Sequence, residues 1–173
     1  MKLLLGVSAS IAIYKSCELV RLFKKGGHEV QVIMTPTAAG WISPLVFSAL
    51  SENPVYTSDD NLERPMLHIE ITRWAEGFLV APATASVISR AAAGNADTLL
   101  TTSLLACNAP TWIAPSMNPN MYNHPATRRN IELLTSYGYH ILEPAQGEAL
   151  CGDTGEGRMM EAELIYETVC AKG

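Results

Sequence analysis

Charge, cysteine and long apolar runs are all scarce in this sequence. Only 17% of the 173 residues are charged. No segment reaches the roughly 18 apolar residues that a membrane-spanning helix needs. The apolar stretch within residues 1–7 is too short for a secretory signal peptide. We therefore expect a cytoplasmic protein that does not bind a membrane.

The cysteines are widely spaced and show no pattern that is typical of a zinc site or a disulfide framework. There are four of them, and no two stand in a CxxC pair: Cys17, Cys107, Cys151 and Cys170. A zinc site usually shows such pairs, and a chain of this length needs no disulfides to fold. We expect no metal ion, with Cys17, Cys107 and Cys170 as buried structural thiols.

Clusters of positive charge are missing as well. The net charge is −5, and no basic run is longer than Lys24-Lys25 or Arg128-Arg129. Nucleic-acid-binding proteins normally carry a basic patch, so we expect no nucleic acid as partner. The hydrophobic share of 48% excludes intrinsic disorder, and the length fits a single domain over residues 1–173.

Buried strands and helices alternate along the chain. Strands are predicted at residues 2–7, 29–34, 77–81, 111–114 and 139–142. Helices are predicted at residues 11–25, 85–93, 125–137 and 161–170. The first strand, helix and second strand span about the length of a βαβ crossover, which joins parallel strands. The pattern predicts an α/β fold with a three-layer, doubly wound parallel sheet of the flavodoxin/Rossmann-like type.

Four of the predicted strands end in turns rich in hydroxyl groups. The turns follow residues 7, 34, 81 and 114, and ligands bind at this edge of such sheets. Hydroxyl groups at helix N-termini suit a phosphate, although Ser and Thr are also ordinary helix caps. The chain lacks GxGxxG and GxxxxGK[ST], so neither a dinucleotide fingerprint nor a P-loop is present. A mononucleotide such as FMN fits better.

Three further residues are candidates for chemistry. His68 lies between apolar residues, where a histidine is either a packed side chain or a base. Asn118 precedes a proline, as in many turns. Cys151 opens a glycine-rich segment up to Gly157, which suits either a surface loop or a mobile lid with a proton donor.

Four ordered motifs resemble the flavin-dependent cysteine decarboxylases, and most closely the phosphopantothenoylcysteine decarboxylase domains of bifunctional coenzyme A biosynthesis proteins. They are His68-Ile-Glu-Ile-Thr-Arg73-Trp74, Pro82-Ala-Thr-Ala-Ser-Val87, Pro115-Ser-Met-Asn-Pro-Asn-Met-Tyr122 and Leu150-Cys-Gly-Asp153. The resemblance covers nearly the whole chain. The chain departs from the family at three places. Ser86 and Val87 replace Asn and Thr of the flavin motif, Tyr122 replaces Trp, and Leu150 replaces Ala.

The resemblance implies FMN-dependent decarboxylation of 4′-phosphopantothenoylcysteine to 4′-phosphopantetheine and CO2. It implies oxidation of the substrate to a thioaldehyde, loss of CO2 to an enethiolate, and a final reduction. His68 would act as base or polarise the reacting end, and Asn118 would hold the carboxylate. Cys151 would deliver the last proton, and Arg73 would pair with the carboxylate or orient His68.

The same resemblance implies which residues touch FMN. These contacts are Ser8, Ser10, Thr35, Thr37, Thr84, Ser86, Ser103 and Met117. It also implies a homotrimer or homododecamer with FMN at subunit contacts. The ligase domain of the bifunctional relatives is absent from the 173 residues and would be a fused or separate partner.

Three other functions stay open at this stage. A peptidyl-cysteine decarboxylase of the lantibiotic type is disfavoured by the Cys151-Gly-Asp153 segment and the residues after it. A flavin prenyltransferase is disfavoured by the intact Pro-x-Met-Asn pattern and the late cysteine. A catalytically silent FMN-binding regulatory subunit is disfavoured by the joint presence of His68, Asn118 and Cys151.

Overall fold

A parallel sheet of six strands forms the centre of the computed structural model, which describes residues 1–57, 64–148 and 154–172. The strand order is β3-β2-β1-β4-β5-β6. The strands are β1 (Lys2–Val7), β2 (Glu29–Met34), β3 (Val55–Tyr56), β4 (Gly77–Ala83), β5 (Thr111–Pro115) and β6 (His140–Ile141). Two further strands, β7 (Ala145–Glu148) and β8 (Thr154–Arg158), form a separate antiparallel pair.

Helices cover both faces of the parallel sheet. The apolar cluster on one face includes residues of α1 (Ile13–Lys25), α2 (Pro36–Trp41), α3 (Pro44–Ser51) and α9 (Ala162–Lys172). The cluster on the other face includes residues of α4 (Leu67–Trp74), α5 (Ala85–Ala92), α6 (Leu99–Ala106), α7 (Pro119–Asn123) and α8 (Pro125–Ser136). The predicted three-layer, doubly wound α/β fold is therefore confirmed.

Strand β1 illustrates why an uninterrupted apolar run belongs at the centre of such a sheet. Successive side chains of a strand point to opposite faces. Leu3 and Leu5 accordingly pack in the cluster under α1, whereas Leu4 packs in the cluster under α6. All three are fully buried, which for each contributes roughly 1.5–3 kcal/mol relative to exposure.

The structure also contains elements that the sequence patterns did not predict. These are α2, α3, α4, α6, α7 and β3, together with the β7–β8 pair. Residues 154–157 were interpreted as part of a glycine-rich loop, and this was wrong, because they pair with β7. The φ angles of Gly155 and Gly157 are +156° and +147°, a region that glycine enters easily, so the glycines serve strand pairing rather than a loop.

The sheet reverses its winding direction between β1 and β4. Strand β1 pairs with β2 on one side and with β4 on the other, both in parallel. In open α/β sheets the carboxyl ends of the strands at this switch point flank a crevice where ligands bind. No helix among the described residues is long and apolar enough to cross a membrane.

Candidate functional site

A cavity of about 540 Å³ lies at the carboxyl edge of the sheet. The turns after β1, β2 and β4 and the start of α6 supply most of its lining, because parallel strands all end at the same edge. The lining residues are Ser8, Ala9, Thr35, Pro36, Thr37, Thr84, Ala85, Ser86, Val87, Arg90, Thr98, Thr101 and Met121. Most of them carry a hydroxyl group, and we call this space the carboxyl-edge cavity.

Hydrogen bonds join the turns on either side of the switch point. The hydroxyl of Ser8 donates to the carbonyl oxygen of Pro82 at 2.7 Å. The backbone N–H of Thr84 donates to Ser8 Oγ at 3.1 Å. Ser8 is almost completely buried, so these bonds are shielded from water. The turn after β1 and the turn after β4 are thus held as one unit.

Three helices begin at the carboxyl-edge cavity. Thr35, Thr84 and Thr98 are the N-caps of α2, α5 and α6, and each side chain accepts a backbone N–H from the first turn. Capping therefore accounts for these hydroxyl groups without any ligand. The helix dipoles nevertheless direct positive potential toward the cavity, which favours a bound anion.

Arg90 is the one charged side chain among the lining residues of the carboxyl-edge cavity. It forms an ion pair with Asp97, which also accepts a hydrogen bond from Thr101 Oγ1 at 3.4 Å. The hydrogen bond from Arg90 lowers the pKa of the Asp97 carboxyl below its usual value. Arg90, Thr98 and Thr101 could not be assigned to the site from the sequence. The 93–98 loop between α5 and α6 carries no recognisable pattern that would show how these residues come together.

Residues 116–118, which we call the Asn118 turn, lead into helix α7, and α7 borders the same cavity. Asn118 Oδ1 accepts the backbone N–H of Asn120 at 2.8 Å and so caps α7. Met121, within α7, lines the cavity and is half-exposed. Asn118 itself is not among the lining residues.

Strand β8 lies directly on the Asn118 turn. The backbone N–H of Met117 donates to the carbonyl oxygen of Gly157 at 2.9 Å. A Cβ atom at Gly157 would come within 2.4 Å of the Met117 carbonyl oxygen, so only glycine permits this approach. A Cβ atom at Gly155 would lie 3.0 Å from the Pro119 side chain. The close contact leaves no room for a side chain between β8 and the Asn118 turn.

His68 and Arg73 lie on α4, outside the lining of the carboxyl-edge cavity. They are five positions apart on the helix, so their side chains lie about 140° apart around its axis. The Nδ1 atom of His68 is buried and has no hydrogen-bond partner among the described residues. Arg73 is exposed. Helix α4 packs against α6, which carries Thr101 of the cavity lining.

The predicted flavin contacts occupy different positions. Ser8, Thr35, Thr37, Thr84 and Ser86 all line the carboxyl-edge cavity. Ser10, Ser103 and Met117 do not. The hydroxyls of Ser10 and Ser116 form a hydrogen bond of 2.7 Å. The hydroxyl of Ser103 is buried without a partner in the described part of the chain.

The predicted proton donor Cys151 lies outside the described residues. Cys17 and Cys107, predicted to be buried structural thiols, are only half-buried, and this partial burial raises the pKa of both thiols. Cys170 is also half-buried, with its Sγ 3.6 Å from His28 Nε2.

A second and larger cavity lies at the opposite, amino edge of the sheet. Its volume is about 760 Å³. The C-terminal ends of α5, α6 and α8 surround it. Its lining includes Cys107, Asn108, Tyr137 and Tyr139, and the part of the chain that the structure describes contributes no Lys, Arg, Asp or Glu to it. We call it the amino-edge cavity.

Comparison with known proteins relates the whole chain to flavin enzymes. The family described as "Flavoprotein" matches residues 1–173. The coenzyme A biosynthesis bifunctional protein CoaBC of Bacillus subtilis is 48% identical over 166 residues, covering 95% of this chain. The match covers only 41% of CoaBC, so the chain spans about two-fifths of the length of that relative.

Solved structures match over almost their full length. A cysteine-to-serine variant of PPC decarboxylase, complexed with pantothenoylaminoethenethiol, gives a TM-score of 0.92 at 32% identity, covering 99% of this chain and 97% of that one. The FMN-binding protein AtHal3 gives 0.89 at 33% identity, covering 99% and 95%. The peptidyl-cysteine decarboxylase EpiD gives 0.85 at 28% identity, covering 98% of each chain.

Proposed function

The chain belongs to the flavoprotein family, and we propose that it is an FMN-dependent decarboxylase of 4′-phosphopantothenoylcysteine in coenzyme A biosynthesis. The observation that carries the proposal is the hydroxyl-lined carboxyl-edge cavity bordered by α7, into which the Asn118 turn leads. The likeness to PPC decarboxylase over nearly the whole of both chains supports the substrate. The product would be 4′-phosphopantetheine.

The residues of the carboxyl-edge cavity fit FMN. A volume of about 540 Å³ falls within the range of ligand pockets, roughly 300–1,000 Å³. Ala85, Val87 and Met121 offer apolar surface for a ring system, and the hydroxyl groups suit a ribityl chain. The helix N-termini and Arg90 suit the phosphate, because both favour a negative charge. We assign Arg90 as the cation that faces the FMN phosphate.

Each catalytic group would serve one requirement of the reaction. When bound, FMN supplies the electron acceptor that lets a cysteine-derived carboxylate lose CO2, and it returns the electrons to the product. Asn118 holds the substrate carboxylate by donating from its side-chain amide, since its Oδ1 already accepts from Asn120. His68 acts as the base, and its buried Nδ1, which has no partner within residues 1–57, 64–148 and 154–172, supports a role beyond packing. Arg73 pairs with the carboxylate or orients His68, and Cys151 delivers the final proton.

The proposed active site is completed by a second copy of the chain. His68 and Arg73 do not line the carboxyl-edge cavity of their own chain. Large apolar side chains next to this edge are more than half exposed, namely Ile11, Tyr14, Trp41 and Leu45. Exposed apolar surface of this kind is typical of subunit contacts. A homotrimer or homododecamer is therefore the proposed assembly, and native mass spectrometry measures it.

Two further expectations stay predictions. A phosphopantothenate–cysteine ligase, fused or separate, is the proposed functional partner, because the CoaBC relative is bifunctional. A cytoplasmic location follows from the proposed pathway and is checked by fractionation of cells.

The direct test is mass spectrometry of the product formed from phosphopantothenoylcysteine by FMN-loaded protein. We expect a yellow protein that releases CO2 and yields 4′-phosphopantetheine. A colourless protein that ignores added FMN would overturn the flavin assignment. A protein that binds FMN but leaves the substrate unchanged would instead be a silent regulatory subunit.

A peptidyl-cysteine decarboxylase is the second candidate. It is favoured by the likeness to EpiD at a TM-score of 0.85. Peptides that end in cysteine distinguish the two, since we expect phosphopantothenoylcysteine to be decarboxylated and such peptides to be left intact. The reverse preference would replace the proposed substrate.

A further inference from the structure

Lys15 is buried although it carries a charge. Its residue exposure is only 6%, and it lies in the first turn of α1, shortly after the turn that lines the carboxyl-edge cavity. A buried ammonium group is costly unless it is paired and hydrogen-bonded. Lys15 Nζ lies 2.8 Å from Glu161 Oε2 and 3.3 Å from the carbonyl oxygen of Met159. The buried ammonium group of Lys15 thus joins α1 to the segment that follows β8.

Glu161, in the segment that follows β8, forms a second ion pair with a residue of β8. Arg158 is the last residue of β8, and its Nη2 donates to Glu161 Oε1 at 2.8 Å. Glu161 therefore receives one cation from α1 and one from β8. The hydrogen bond from Lys15 is the main reason that the pKa of the Glu161 carboxyl lies below its usual value. The Glu161 carboxylate is therefore ionised at neutral pH.

Three contacts close a ring around the Asn118 turn. Ser10 and Ser116 share a hydrogen bond of 2.7 Å between the turns after β1 and β5. Met117 N–H donates to Gly157 O at 2.9 Å, between the Asn118 turn and β8. Lys15 and Glu161 then join the end of β8 back to α1. Each contact joins two segments that lie far apart in the sequence.

We infer that Lys15 is a positioning residue for Asn118: its ion pair with Glu161 closes this ring and holds the Asn118 turn in its working orientation. The inference rests on the proposed decarboxylase function. Lys15 touches neither substrate nor cofactor in this role. A displacement of about 1 Å in a catalytic group can lower activity by as much as 10²-fold, so a contact outside the active site can matter for the rate.

Lys15→Met tests the inference, because methionine fills a similar volume without charge and leaves Glu161 half-exposed beside Arg158. We expect kcat/KM for phosphopantothenoylcysteine to fall about tenfold or more at saturating FMN. The affinity of the apoprotein for FMN should stay unchanged. Hydrogen exchange should accelerate at the Met117 amide, which donates to Gly157. Lys15→Arg, which keeps the charge, should restore part of kcat/KM.

The matched control is Lys24→Met on the same helix. Lys24 pairs with Glu52 at 2.6 Å, but Glu52 is largely exposed and the pair touches no part of the ring. Lys24→Met should leave kcat/KM and the exchange of Met117 unchanged.

The outcomes separate this inference from the function on which it rests. If Lys15→Met keeps normal kcat/KM and normal Met117 exchange in an active enzyme, the positioning role is wrong. If FMN affinity falls together with kcat/KM, Lys15 is a general structural residue and the inference fails as well. If wild-type protein releases no CO2, the proposed function fails, while faster exchange at Met117 in Lys15→Met still supports the ring.

Discussion

The two cavities at opposite edges of the sheet differ in chemistry more than in size. The amino-edge cavity is the larger, about 760 Å³ against about 540 Å³. It receives the C-terminal ends of three helices, whereas the carboxyl-edge cavity receives N-terminal ends. Helix N-termini attract anions and C-termini repel them, so only the carboxyl-edge cavity suits a phosphate-bearing ligand. The larger volume therefore does not mark the edge that suits such a ligand.

Polar groups are distributed in the same unequal way. The carboxyl-edge cavity has Arg90 and a series of hydroxyl groups. The amino-edge cavity has no charged carboxylate, lysine or arginine in its described lining, and the Tyr139 hydroxyl there donates to the Leu104 carbonyl oxygen at 3.2 Å. The comparison predicts that matched substitutions at the two edges differ in their effect on flavin binding and turnover.

Asn118→Asp at the carboxyl edge should have the largest effect. The aspartate keeps an oxygen to cap α7, but it loses the amide donor and repels the substrate carboxylate. Loss of one preorganised donor costs about 10²–10³-fold in rate, so CO2 release should fall by at least ~100-fold. FMN binding should persist, as measured by the flavin absorbance of the purified protein.

Asn108→Asp is the matched change at the amino edge. Asn108 lines the larger cavity and is exposed. We expect normal CO2 release from this variant. An equal loss of CO2 release in Asn118→Asp and Asn108→Asp would contradict the assignment of the active site to the carboxyl edge.

Arg90→Gln should have the next largest effect, on cofactor affinity. A hydrogen bond to a charged group contributes roughly 1.5–3 kcal/mol. Arg90 is 40% exposed and already paired with Asp97, so we expect the low end, about a tenfold weaker FMN affinity. Riboflavin lacks the phosphate, and its affinity should hardly change. Fluorescence titration of the apoprotein with both flavins measures this.

Arg129→Gln serves as the control, because Arg129 is exposed on α8 and is not part of either cavity lining. Equal weakening of FMN and riboflavin by Arg90→Gln would contradict the assignment of Arg90 to the phosphate.

Thr84→Val should have a smaller effect, on stability. The substitution removes the hydroxyl that caps α5, and loss of such a cap costs about 1 kcal/mol in the free energy of unfolding. Thr135→Val on the exposed part of α8 removes a hydroxyl that is not a cap, and it should stay within about 0.5 kcal/mol of wild type. Urea denaturation of both variants compares them, and equal losses would contradict a capping role.

Cys107→Ser at the amino edge should have the smallest effect, with flavin binding and turnover unchanged. Burial raises the pKa of the Cys107 thiol, so less of it is thiolate at a given pH. Alkylation of Cys107 in the native protein should therefore be slow at neutral pH and accelerate only under strongly alkaline conditions. Peptide mass spectrometry follows the labelling, and rapid reaction near pH 7 would argue for a functional thiol.

Most of the sheet could be predicted because its strands are buried on both faces. An uninterrupted apolar run such as Leu3–Leu5 has few alternatives to a central parallel strand. Helix α6 was missed because its apolar residues are interrupted by hydroxyl residues without helical periodicity. Strand β8 was missed because its two glycines, Gly155 and Gly157, are typical of a loop, and only the pairing with β7 identifies it as a strand.

Residues of the candidate site could be predicted only where they belong to a turn that follows a predicted strand. Ser8, Thr35, Thr37, Thr84 and Ser86 all lie within three residues of a strand end. The place of Arg90 in the site could not be predicted, because it depends on the loop after α5, which places Asp97 against Arg90. The same limit applies to Ser103, whose position on a helix does not reveal that the side chain faces the interior.

The reversal of the sheet between β1 and β4 has a consequence for redesign of the protein. The crevice arises from strand order, so it remains when the turns at its rim are exchanged, provided that buried residues such as Leu4 and Leu79 are kept. The turns after β1 and β4 cannot be exchanged independently, because Ser8 bonds to both Pro82 and Thr84. A graft intended to change ligand choice must therefore transfer these two turns together from a single donor protein.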